Sequence, residues 1–389
     1  MVKPAAWLSV VVAVYLSGDL ALGSSLSEQP IEIDGPQGPI HGVLTQPNDR
    51  GAHPAVLIIP GSGPTDLDGN NKFGITAAPY RMLATDLGAH HIAVARFNKR
   101  GIGSSAGAMR DVNDVTMQDY SADVGAWIRL LKTTTGNSCI WLLGHSEGGV
   151  IALLAAQRNA DVCGLLLVAS PGRPFATMIR EQLARNPANA PFLDAANEAI
   201  HELENGHQFD DATLPAPLKP LFANKVQGFL ISDMALDPAV LATNAHKPIL
   251  VVQGTNDLQV TMEDAEKLGI THLRLTRDCL SRSRKTSQGH WFYRVSHAAI
   301  YEWLSSRARE PLRQRGIKHA QITFGLLQDS RVDEEYILKL LPELPEGDTE
   351  LYSHPSLDRF KHEFDALISP RVREQIQKLD IKLIRYQDL

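Results

Sequence analysis

Apolar runs recur along the chain at strand length, and polar, helix-patterned segments separate them. Ala55 to Ile59 is fully apolar, and similar runs occupy Ile92 to Phe97, Cys139 to Leu143, Gly164 to Val168 and Lys247 to Gly254. Runs without polar alternation bury both faces, as parallel strands do. Helix patterns lie between them, near Ala78 to Leu87, Gln118 to Leu131 and directly after Ser146. This alternation predicts an α/β fold with a doubly wound parallel sheet. Upstream, Ile31 to Asp34 and Ile40 to Thr45 flank Gly35-Pro36-Gln37-Gly38, the pattern of a hairpin opening the sheet. From Pro171 to about His246 the strand pattern stops. Helical segments broken by prolines take its place, predicting an inserted helical cap over the strand ends.

The chemistry concentrates where the third run ends. Gly144-His145-Ser146-Glu147-Gly148 follows the strand pattern and precedes a Leu/Ala-rich helix pattern. A serine on such a turn projects its Oγ above the sheet, and glycines at 144 and 148 remove side chains that would collide. Ser146 is the candidate nucleophile. The backbone N–H of Glu147, opening the helix, faces the position of a developing oxyanion. Gly103-Ser104-Ser105-Ala106-Gly107 fits the same G-x-S-x-G pattern. No apolar run precedes it directly, and it reads as a Gly/Ser loop.

Two other loops follow apolar runs. Pro60 to Asn70 is rich in glycine and short polar residues, which places the N–H of Ser62 as a second oxyanion donor. Thr255-Asn256-Asp257 follows the last long run, where the Asp257 carboxylate can orient an imidazole. Its alternative role is capping the helix pattern that starts near Thr261. The order Ser146, Asp257, then a later histidine is that of the α/β-hydrolase triad.

Together, Pro60 to Asn70, Arg96-Phe97-Asn98-Lys99-Arg100-Gly101-Ile102-Gly103, the Ser146 turn and Val251 to Asp257 resemble bacterial α/β hydrolases of the serine aminopeptidase and esterase-like group. The resemblance spans about Ile31 to Leu268 and implies a serine hydrolase that cleaves an ester or amide through an acyl-enzyme. Asn98 departs from it, because the family usually has Asp there. After its acid loop the family has a helix, a last strand and a histidine turn. Here Thr271 to Thr276 fits that strand, and the histidine arrives at Gln288-Gly289-His290. His290 is the candidate base. His297 competes with it, His272 comes too early, and loss of the base would leave an impaired, binding-only protein.

From Trp291 onward the residues resemble the C-terminal part of YdjC-like carbohydrate deacetylases of the hopanoid-biosynthesis-associated branch. Phe324 to Ser330, Glu350 to Pro355, Ala366 to Val372 and Ile384 to Leu389 carry that likeness. Helix patterns at Glu334 to Leu341 and Arg371 to Leu379, and strand patterns at Thr349 to Ser353 and Ile381 to Arg385, agree with a β/α fragment. The resemblance implies a join near Arg277 to Gly289 and, as a further functional alternative, a fusion linked to carbohydrate or hopanoid deacetylation. That family's aspartate pair and histidine cluster have no recognisable counterpart. His354 and His362 remain without partners at ligand spacing, so no metal and no cofactor is expected.

The divisions expected are 1–24, 25–288 with the cap at about 171–246, and 289–389. Residues 1–24 read as a signal peptide, from Lys3, the apolar run Ala5 to Leu16 and the small residues after it, with an uncleaved anchor as the alternative. That places the protein in the periplasm or outside the cell, with no stable membrane span after cleavage. A net charge of −6 and a pI near 6.2 give no electrostatic case for nucleic acid, leaving a small ester or short peptide as the partner. The three cysteines cannot all pair. Cys139 and Cys163 each begin an apolar run and read as small core residues, with no disulfide framework.

Overall fold

The computed structural model describes residues 26–49, 51, 53–72, 74–254, 257–272, 278, 291–328, 331–355 and 360–384. The expected signal segment and His290 lie outside the described residues. Among those described, no helix is long and apolar enough to cross a membrane.

A seven-stranded sheet organises the first two thirds of the chain, in the order β1-β2-β4-β3-β5-β6-β7. The opening hairpin is longer than its pattern suggests, with β1 at Leu26–Asp34 and β2 at Pro39–Pro47 joined antiparallel through Gly35–Gly38. The remaining strands are β3 (Ala55–Ile59), β4 (Ala93–Phe97), β5 (Ile140–His145), β6 (Val162–Val168) and β7 (Ile249–Val252), and they run parallel to one another. This is the α/β-hydrolase fold. Helices α1 (Pro79–Ala89), α2 (Met117–Thr135) and α3 (Glu147–Ala156) are the crossovers. Every residue of β3, β4 and α3 is buried. A helix apolar on nearly all sides is stable only inside, which accounts for α3 lying buried under the Ser146 turn. Trp127 of α2 is fully buried and packs on Phe97, with ring centroids 5.3 Å apart.

The inserted segment folds as α4 (Phe175–Arg185), α5 (Leu193–Glu204), α6 (Lys219–Phe222), α7 (Gln227–Met234) and α8 (Pro238–Asn244), and it has a core of its own built on Ile179, Ile200, Leu203, Phe222 and Leu230. Two bonds moor α7 to the segment entering α2. The N–H of Gly228 donates to Asn113 Oδ1 at 2.5 Å, and that of Met117 to Ser232 Oγ at 3.1 Å. Arg173, at the cap's entrance, donates twice to the Asp264 carboxylate in α9 (Met262–Lys267), at 3.0 and 2.9 Å.

The cysteine expectation fails. Cys139 and Cys163 form a disulfide, with Cα atoms 5.2 Å apart. Each does begin an apolar run, but the runs are paired neighbours, β5 against β6, so the two cysteines meet side by side. Closing a loop of this length, 24 residues apart in sequence, contributes about 3 kcal/mol by restricting the unfolded chain.

The C-terminal part holds α10 (Trp291–Gln314), β8 (Ile322–Phe324), α11 (Glu334–Leu340), β9 (Thr349–Leu351), α12 (Lys361–Ile368) and α13 (Pro370–Lys378), with β8 and β9 parallel. The strand expected at Ile381 to Arg385 is not formed over 381–384, where the backbone is irregular and largely exposed. The strand expected at Thr271 to Thr276 is described only at its start, and there His272 bridges Lys318 in parallel.

Candidate active site

Ser146 sits between the end of β5 and the first residue of α3 with φ 53° and ψ −125°. A serine in this region is strained, and it persists because the surroundings over-determine it. Its N–H donates to Val168 O at 2.9 Å and its carbonyl accepts from the N–H of Gly149 at 2.8 Å. A Cβ on Gly148 would lie 2.2 Å from Ile59 O, so the elbow can pack against the end of β3 only with glycine there.

The Pro60 to Asn70 loop closes over this turn. A Cβ on Gly61 would lie 3.3 Å from Ser146 Cβ, which brings the backbone leading to Ser62 alongside Ser146. Ser62, Ser146 and Glu147 line one cleft of about 120 Å³ with Val150, Phe175, Met178 and Asp233. A larger trough of about 430 Å³ runs along one face of β3, β5, β6 and β7, past Val56, Trp141, Leu166 and Leu250, and is lined by apolar residues and proline. It has no group that could carry chemistry, so the polar cleft is the candidate site.

Several side chains hold the loop. Asn98 accepts from the N–H of Leu67 at 2.7 Å and donates to Ser104 Oγ at 2.8 Å, binding the two glycine-rich loops together. The amide thus offers an acceptor to one loop and a donor to the other. Arg96, fully buried, pairs with Asp68 and Glu28, and Arg81 also contacts Asp68. Tyr80 accepts from the N–H of Gly61 at 3.3 Å and contacts His145 Nδ1 at 2.8 Å. Burial holds the His145 imidazole below its ordinary value, against the pull of Asp257.

Asp257 stands in the loop after β7, as expected. Its Oδ1 accepts from the N–H groups of Gln259 and Val260 at 2.9 and 3.0 Å. It therefore caps the 257–260 turn, while α9 has its own capping box in Thr261 and Asp264. The second serine motif is structural. Ser105 is fully buried in a 3-10 turn, where its Oγ accepts from the N–H of His41 at 2.9 Å.

A buried charge cluster under the cleft was not anticipated. Lys99 Nζ donates to Glu147 Oε1 at 2.7 Å, both nearly enclosed, and Asp233 of α7 lies close by. Burial lowers the Lys99 ammonium, yet Glu147, Tyr120 and Tyr80 outweigh it and the net direction is upward. Burial, reinforced by Glu147 and opposed by Lys99, pushes Asp233 up to about 8. Its ordinary value is 3.8, so the folded protein keeps a proton that the unfolded chain releases. The stability this supplies is complete below pH ~4 and is lost as pH rises through about 8. We expect Asp233→Asn to flatten the fall in stability between pH 5 and 9, measured by denaturant titration. Identical profiles for the two proteins would contradict the assignment.

Residues 72–206 match the model of the serine aminopeptidase family S33. Residues 244–378 match that of YdjC-like proteins, a span that takes in β7 and Asp257 as well as the C-terminal part. Esterase EstD of Thermotoga maritima is 28% identical over 251 residues, covering 62% of this chain. The chain spans about half, 55%, of that relative's length. Among solved structures, the α/β hydrolase GrgF from Penicillium is 20% identical, with TM-score 0.43, over 62% of this chain and 85% of its own. The Pyrococcus furiosus esterase Pf2001 is 15% identical, with TM-score 0.40, over 62% and 77%.

Proposed function

We propose that the chain is an exported serine hydrolase acting on small, uncharged carboxylic esters. The observation that carries this is Ser146 on a strained strand-to-helix elbow in a cleft shared with Ser62 and Glu147. Ser146 Oγ attacks the carbonyl carbon while His290 takes its proton, and the N–H groups of Ser62 and Glu147 receive the oxyanion. The tetrahedral adduct collapses to an acyl-enzyme, and the alcohol leaves with the proton from His290. Water, deprotonated by the same base, then releases the acid. Asp257 orients the imidazole and stabilises its charged form. The matches to the S33 family and to esterase EstD support hydrolysis in general.

The lining favours an ester over a free amino-acid amide. Val150, Phe175 and Met178 offer apolar surface. The charged groups nearest the cleft are already engaged, Arg173 with Asp264 and Glu181, and Lys99 with Glu147. Burial beside Glu147 favours the neutral acid of Asp233, which weakens any attraction it could exert on a substrate ammonium. Short-chain p-nitrophenyl esters should therefore turn over while amino-acid p-nitroanilides do not. Preferential turnover of the anilides would point to a peptidase instead. Export accords with the Cys139–Cys163 disulfide, since such bonds persist in oxidising compartments.

A further inference from the structure

At the opposite end of the strands from Ser146, three side chains from two loops converge. Asp49 and His53 belong to the connection between β2 and β3, and His91 to the turn between α1 and β4. Strand β4 lies between β2 and β3, and Ala93 pairs with Ala55, so the topology puts the two loops side by side. His53 Nε2 contacts Asp49 Oδ1, and His91 Nδ1 lies 3.0 Å from Asp49 Oδ2. One donor atom from each of the three side chains falls within 4.8 Å of the others. The imidazoles stack with centroids 5.5 Å apart.

The backbone around the cluster is held in place. His91 has φ 59°, a left-handed conformation unusual outside glycine. Asn137 Nδ2 donates to His53 O at 2.8 Å, and the N–H of Gly51 donates to Asp49 Oδ1 at 3.2 Å. All three side chains reach solvent, so an ion could enter directly.

We propose that Asp49, His53 and His91 form a zinc-class divalent cation site that clips the β2–β3 loop to the α1–β4 turn. Two imidazole nitrogens and one carboxylate oxygen are a borderline N/O set that suits Zn²⁺, with water as fourth ligand. Metal–ligand distances of about 2.0–2.2 Å place tetrahedral ligands roughly 3.3 Å apart. With every donor atom within 4.8 Å of the others, no pair has to close by more than about 1.5 Å and the His53–Asp49 contact has only to open slightly, within reach of rotamer changes on solvent-reaching side chains. The ion would replace the hydrogen bonds that now link the imidazoles through Asp49. Remote from Ser146, it acts on the stability of this edge and takes no part in ester cleavage.

The test compares the full chain with the His53→Ala/His91→Ala double variant and with Asp49→Asn, which keeps the shape of the side chain. Zinc chloride is titrated against a chromophoric chelator, and melting is followed in zinc and in EDTA. The wild type should bind one more Zn²⁺ per chain than the double variant and melt higher in zinc than in EDTA. Asp49→Asn should weaken the site by at least ~10-fold while melting like the wild type in EDTA. Equal zinc stoichiometry and equal zinc response in wild type and both variants would overturn the proposal.

Discussion

Replacing Ser146 by alanine is expected to bring the hydrolysis of short p-nitrophenyl esters to the background rate, a fall of at least ~10³-fold in kcat/KM. Replacing Ser105 is expected to leave turnover per folded molecule close to wild type. Both serines satisfy the same five-residue pattern, so the contrast tests structure rather than motif. Ser146 stands on the elbow at φ 53° and lines the cleft, while Ser105 Oγ is engaged with the N–H of His41. Losing that bond leaves the part-buried N–H of His41 without its acceptor, so Ser105→Ala should cost about 1 kcal/mol of stability instead of catalysis. Steady-state kinetics with the folded fraction checked by circular dichroism separates the two effects. Equal loss of turnover in both variants would remove Ser146 from its role.

His290→Ala and Asp257→Asn are expected to fall together, each by about 10³–10⁴-fold, while His297→Ala stays near wild type. Asparagine at 257 can still accept from Gln259 and Val260 through its amide oxygen, so the turn survives and only the anion is lost. Because base and orienter act as one unit, the double variant should be scarcely worse than His290→Ala alone. Wild-type rates in His290→Ala combined with a dead His297→Ala would reassign the base.

What was legible in the sequence is what local chemistry determines. A fully apolar run, a glycine-flanked serine and a small-residue helix lie within twenty residues, and they fold as β5, the Ser146 turn and α3. Asp257 was legible only as a carboxylate in the loop just beyond an apolar run, and that run does not bury both faces as expected, since Leu250 and Val252 of β7 are half exposed. The features that escaped depend on which strands and helices become neighbours. The Cys139–Cys163 disulfide follows from β5 pairing with β6, and two cysteines each opening an apolar run do not announce it. Lys99 and Glu147 are 48 residues apart, and Asp233 joins them only because the cap folds back over the strand ends. Asp49, His53 and His91 likewise meet because β4 inserts between β2 and β3.

The central claim is that Ser146 is an activated nucleophile, and the most direct measurement is labelling of the intact chain with a fluorophosphonate, followed by peptide mapping. One adduct per chain is expected, on the peptide containing Ser146, and none in Ser146→Ala. An unlabelled wild-type chain, or an adduct that persists in Ser146→Ala, would contradict it.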